Sequence, residues 1–217
     1  MWLRRLHSVS GLMPVGAFML LQLSLHAKAL EGRDRYVLAL AHEPHGVVWS
    51  IFIGGGLALH VVVGLWLARS APGRSYYARA WLRTLQRATG LITLGFLVYV
   101  GVMHWWPLHS GAISERDLYA HLTATLSATQ YGIPFHALTT TIGLAALSFH
   151  FGNGTWSFAN RSGLLRTAPV RRFAATITVA LAIACFVAGA RTTLLLATGW
   201  TFAHEPVVEG GNDCSTE

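Results

Sequence analysis

Five stretches of the chain, residues 9–30, 47–67, 85–106, 133–158 and 173–198, are apolar with few interruptions. Each is long enough to cross about 30 Å of hydrocarbon as a helix. The pattern predicts an all-α fold, an integral membrane bundle of five transmembrane helices. Glycines recur in these stretches, at Gly54-Gly55-Gly56, Gly64, Gly90 and Gly143. In a membrane such small residues let backbones, or a helix and a flat cofactor, approach closely. The segments between the spans are too short for a second hydrophobic core. Residues 1–200 are therefore expected to form one membrane domain, followed by an acidic tail over 201–217.

Composition agrees, since 53% of the 217 residues are hydrophobic and only 12% are charged, too few to cover a soluble domain. The net charge of +7 belongs to particular loops and gives no reason to expect nucleic acid. Arg4 and Arg5 precede the first span. Arg69, Arg74, Arg79, Arg83 and Arg87 cluster around the connection of the second and third, and Arg161, Arg166, Arg171 and Arg172 around that of the fourth and fifth. The remaining connections hold fewer, Lys28, Arg33 and Arg35 in one and Arg116 in the other. The tail has Glu205, Glu209, Asp213 and Glu217 without a basic partner. The positive-inside rule then predicts a cytoplasmic N-terminus and an outer C-terminus. Trp105, Trp106 and Trp200 fall where an outer aromatic belt is expected.

Cys185 and Cys214 form no ligand pair, which argues against an iron–sulfur or thiolate zinc site in this chain. Histidine is the unusual residue. His60 and His150 interrupt the second and fourth spans at matching depth, about 12 Å from the cytoplasmic end. Two neutral imidazoles on different helices can ligate one haem iron. The plainer reading, a histidine bonded to a neighbouring helix, stays open for each. His26, His104 and His136 make a second set towards the outer face. No Asp or Glu interrupts a span, so no carboxylate proton path is expected. Glu43, His42, His45 and His109 in the outer loops are candidate proton donors.

Three blocks carry a family resemblance. Arg4-Arg5-Leu6-His7-Ser8 with Gly11 and Pro14-Val15-Gly16, then Leu85-Gln86-Arg87-Ala88-Thr89-Gly90-Leu91-Ile92-Thr93-Leu94, then Phe149-His150-Phe151-Gly152-Asn153-Gly154 with Trp156-Ser157-Phe158, resemble the five-helix dihaem cytochrome b anchor of succinate:quinone oxidoreductases. The resemblance covers residues 3–198 and leaves out the tail. It implies the membrane subunit of a succinate dehydrogenase or fumarate reductase in a bacterial cytoplasmic membrane. Its partners would be a flavoprotein, an iron–sulfur protein and membrane quinone, and its cofactors two stacked b haems.

In that family the proximal haem lies between the second and fourth helices, where His60 and His150 match. The distal ligand positions hold Gln22 and Val100 instead. His26 and His104 lie four residues further on, one turn outward on both helices. The expectation is a distal haem held by His26 and His104, about 6 Å nearer the outer surface, with His136 in reserve. The resemblance brings His7 and Ser8 to the proximal haem. Arg87 and Arg161 are candidates for its propionates, and Arg191 for a distal propionate. Alternatives are the anchor of another quinone-linked dehydrogenase or of a hydrogenase, a haem-free anchor, or a transporter. The internal repeat symmetry or broken helices expected of a transporter are not evident in the sequence.

Overall fold

The structure, a computed structural model, describes residues 2–43, 46–70 and 80–200. His45, Arg74, Arg79, Cys214 and the acidic tail with Glu205, Glu209, Asp213 and Glu217 lie outside the described residues. Among those described, the regular structure is helical, apart from one bridge that closes a turn. The elements are α1 (Trp2–Glu31), α2 (Arg33–Leu40), α3 (Val47–Arg69), α4 (Trp81–His109), α5 (Leu118–Ser127), α6 (Phe135–Arg161) and α7 (Ala168–Thr198).

Four helices, α1, α3, α4 and α7, are long and apolar enough to cross a membrane. The fifth long helix, α6, has 27 residues but carries three consecutive threonines, Ser148, two histidines and Asn153 among its apolar positions. Much of the long helices' surface is apolar and exposed, at Leu21, Val48, Ile51, Val62, Leu91, Val98, Ile142 and Val179 among others. Such a surface suits lipid rather than water.

Two helices contain a widened π-helical turn. In α1 it spans Gly11–Val15 and accommodates Pro14, which has no N–H to give to the ladder. In α4 it spans Gly101–Trp105 and holds His104.

The long helices alternate in direction. α6 packs on α4, α7 and α1, whereas α3 leans mainly on α1. α3 and α4 make no extended contact with each other among the described residues. One end of the bundle is capped by the short helices. There Leu25, Ala29, Tyr36, Leu40, Leu118, Leu122, Leu126 and Leu196 form the main buried cluster, with Tyr36 wholly inaccessible. The chain enters α6 through a tight turn in which Tyr131 and Gly132 both take positive φ, 54° and 77°. Gln130 and Ile133 exchange main-chain hydrogen bonds across it. This is the two-residue geometry that suits reversal between antiparallel segments. At the same end α7 stops at Gly199, whose left-handed conformation lets its N–H bond Leu195 O.

Candidate functional site, two histidine clusters along the bundle

Towards the uncapped end, α1, α3 and α6 bring His7, His60 and His150 together. Their ligand nitrogens all lie within 4.8 Å of one another. The rings of His7 and His60 stack, 4.0 Å apart and 12° from parallel. His150 meets His60 edge-on, with ring centres 6.2 Å apart.

Each Nδ1 in this cluster has a main-chain carbonyl as partner. His60 Nδ1 donates to His7 O at 2.8 Å and His7 Nδ1 donates to His60 O at 3.0 Å. His150 Nδ1 donates to Gln86 O at 3.1 Å. A carbonyl oxygen only accepts, so at His7 and His60 the proton sits on Nδ1 and leaves the Nε2 lone pair free; at His150 the Gln86 Nε2 also lies 3.1 Å from Nδ1, and a metal on Nε2 would fix the same Nδ1–H form. That is the tautomer and support an axial ligand needs. Neutral imidazoles whose ligand nitrogens lie within 4.8 Å of one another could share one iron. The donor set therefore fits a haem iron.

Glycine makes these approaches possible. A Cβ on Gly11 would lie 2.3 Å from His60 Cε1, one on Gly64 2.8 Å from His7, and one on Gly90 2.8 Å from His150. Gly56 similarly receives Pro14, and Gly16 receives Phe151. Beside the cluster, Arg161 donates to Ser8 Oγ, and Ser8 in turn donates to Arg4 O at 2.9 Å. Ser8 and Arg161 are thus brought together near His7, whereas Arg87 is exposed on α4.

At the capped end a second cluster forms. His26, on α1, pairs its Nδ1 with the hydroxyl of buried Tyr36 at 3.0 Å. His136, at the start of α6, does the same with Tyr99 at 3.0 Å. His104 lies between them, edge-on to Tyr99 at 6.1 Å and to His121 at 5.4 Å. It is within electrostatic reach of His26, His121 and His136. Its Nδ1 is buried without a hydrogen-bond partner. A buried polar nitrogen left unpaired is rare and calls for an explanation. Ligation of a metal through Nδ1 itself would supply one.

Gln22, at the position where the resemblance puts a ligand, instead donates to Glu43 Oε1 at 2.6 Å. Arg191 is partly buried on α7. Of the other loop candidates, His42 donates to Leu38 O and His109 donates to Trp105 O, both as exposed side chains.

Sequence reasoning missed two participants. His121, on α5, donates to Met103 O at 2.9 Å and faces His104. The leucine stripe at Leu118, Leu122 and Leu126 was the available signal, since it marks a buried helical face beside His121. Gln86 belongs to the second of the three blocks and contacts His150 directly.

A relative in Bacillus subtilis (strain 168), the succinate dehydrogenase cytochrome b558 subunit, is 30% identical over 193 residues, 84% of this chain and 90% of the relative. No protein-family model matches the chain. No solved structure matches it either.

Proposed function

The chain belongs to the family of succinate dehydrogenase cytochrome b subunits, and we propose that it carries electrons through haem b held by His60 and His150. Its part in the complex is that of the membrane anchor, with no dicarboxylate chemistry of its own. This sets aside the hydrogenase-type anchor and the transporter. The observation that carries the ligand assignment is the meeting of the His60 and His150 rings, 6.2 Å between centres, each with its Nδ1 beside a main-chain carbonyl. Bound between two such imidazoles, a b haem supplies a one-electron carrier.

In this reading α6 is the fifth span, the uncapped end is cytoplasmic and the tail is outside, in a bacterial cytoplasmic membrane. Support comes from charge. Among the described residues the uncapped end bears Arg4, Arg5, Arg69, Arg83, Arg87, Arg161, Arg166, Arg171 and Arg172 with no carboxylate, while Glu31, Asp34, Glu43, Glu115 and Asp117 lie at the capped end. Electrons enter from an iron–sulfur subunit, itself served by a flavoprotein, at the His60–His150 level. Arg161, with His7 and Ser8 beside it, is placed to meet propionates there, and Arg87 is the less favoured candidate.

A second b haem is assigned to His26 and His104, on α1 and α4, with His136 in reserve and Arg191 for a propionate. The buried, unpartnered Nδ1 of His104 supports it. Quinone would exchange electrons at the capped end, beside Glu43, His42 and His109. Ferric electron paramagnetic resonance of the purified complex tests the first pair. A low-spin signal lost in His60→Ala and in His150→Ala is expected. The signal of the His26–His104 haem is expected to remain, and survival of both low-spin signals in both variants overturns the assignment.

A further inference from the structure

The two helix crossings that carry the ligands are built alike. Where α1 crosses α3, His7 and Gly11 on one helix meet His60 and Gly64 on the other. Where α4 crosses α6, Gln86 and Gly90 meet His150 and Gly154. In every case a polar side chain precedes a glycine by four residues, so the two share one helix face a turn apart.

The contacts repeat with the spacing. A Cβ on Gly64 would strike the His7 ring, one on Gly11 the His60 ring and one on Gly90 the His150 ring, while one on Gly154 would touch Gln86 Nε2 at 3.6 Å. The hydrogen bonds are reciprocal at both crossings. His7 and His60 each donate from Nδ1 to the other's main-chain oxygen. His150 Nδ1 donates to Gln86 O, and Gln86 Nε2 donates back to His150 O at 3.0 Å. Gln86 therefore occupies in one half the place that His7 occupies in the other.

Its amide is fixed. Asn153 Nδ2 donates to Gln86 Oε1 at 2.7 Å, which turns the Gln86 NH₂ towards His150. The return bond to His150 O holds the two backbones at the separation that brings Gln86 O to His150 Nδ1. Without it the crossing loosens, and the carbonyl that selects the Nδ1–H tautomer moves off.

We propose that Gln86 is the positioning residue of His150, the counterpart of His7 at His60, and that it sets the orientation and donor strength of that imidazole towards iron. The inference rests on the reading of His60 and His150 as haem ligands. A hydrogen bond from Nδ1–H raises the basicity of a ligating imidazole and favours the ferric state. Weakening it raises the reduction potential.

Gln86→Leu and Gln86→His in the whole complex make the test, with His150→Ala as reference. Redox titration and ferric electron paramagnetic resonance are the readouts. Gln86→Leu is expected to keep the wild-type haem content, move the potential of the His60–His150 haem upward and shift its highest g value. Gln86→His is expected to stay near wild type, because histidine fills the equivalent place at the other crossing. A wild-type potential and spectrum in Gln86→Leu overturn the inference, as do equal shifts in both variants. If His150→Ala keeps the haem and its signal, the ligand reading itself has failed. If His150→Ala loses that haem while Gln86→Leu is silent, only the role of Gln86 has failed.

Discussion

His60 and His7 are locked by two opposed hydrogen bonds, each imidazole donating from Nδ1 to the main-chain oxygen of the other, at 2.8 and 3.0 Å. The rings lie one on the other as a result. Neither ring reaches its place unless the partner helix has no side chain there, which is why Gly11 and Gly64 stand four residues further along.

Gly11→Ala puts a methyl group 2.3 Å from His60 Cε1. Real Cβ atoms are not found so close, so the ring or the helix has to move. Overpacking of this kind costs about 1–3 kcal/mol, and here it also displaces a proposed haem ligand. Gly95→Ala, on α4, meets nothing within 4 Å and is expected to change stability by no more than about 0.5 kcal/mol. Thermal loss of haem absorbance in detergent compares the two, with early loss expected for Gly11→Ala alone.

At the capped end, His26→Ala and His104→Ala are each expected to remove one haem per polypeptide. His121→Ala is expected to keep both, because its Nε2 is spent on Met103 O, and His136→Ala is expected to keep both as the variant of a ligand held in reserve. Haem quantitation across the four variants checks the choice. Loss with His136→Ala and retention with His104→Ala would move the assignment to the reserve ligand.

Tyr36 is wholly buried and pairs with His26 Nδ1. Tyr36→Phe leaves that nitrogen without its partner, at a cost of about 1–3 kcal/mol. Burial pushes the Tyr36 phenol up from its ordinary value, with the negative charge of Glu43 acting in the same sense. The unfolded chain thus gives up this proton near pH 10 while the folded one keeps it. The contribution is complete below about pH 10 and falls as pH rises above it. Melting temperatures measured from pH 8 to 11 should decline more steeply for the wild type than for Tyr36→Phe.

The long helices were legible because apolar length is a strong signal. Their ends ran further than expected, as with Trp2–Glu31 against 9–30 and Trp81–His109 against 85–106. Flanking residues such as Arg4, Arg83 and Lys28 are compatible with a helix even though they are not apolar. α6 shows the opposite limit. Its threonines and histidines dilute the apolar signal in the helix that contacts most of the others. The short helix α5 was hidden in what reads as a loop, and His121 with it. The spacings His7 to Gly11, Gln86 to Gly90 and His150 to Gly154 are all present in the sequence. Their meaning depends on which helices cross, and only tertiary structure supplies that. For the same reason the likeness of the two crossings does not show as an internal repeat in the sequence.

Haem per polypeptide, measured by pyridine haemochrome on the purified complex of wild type and His150→Ala, bears most directly on the site. Two haems falling to one, with the low-spin signal of the His60–His150 pair gone, is the expected result. An unchanged haem content in His150→Ala would contradict the assignment of His60 and His150 as the ligands.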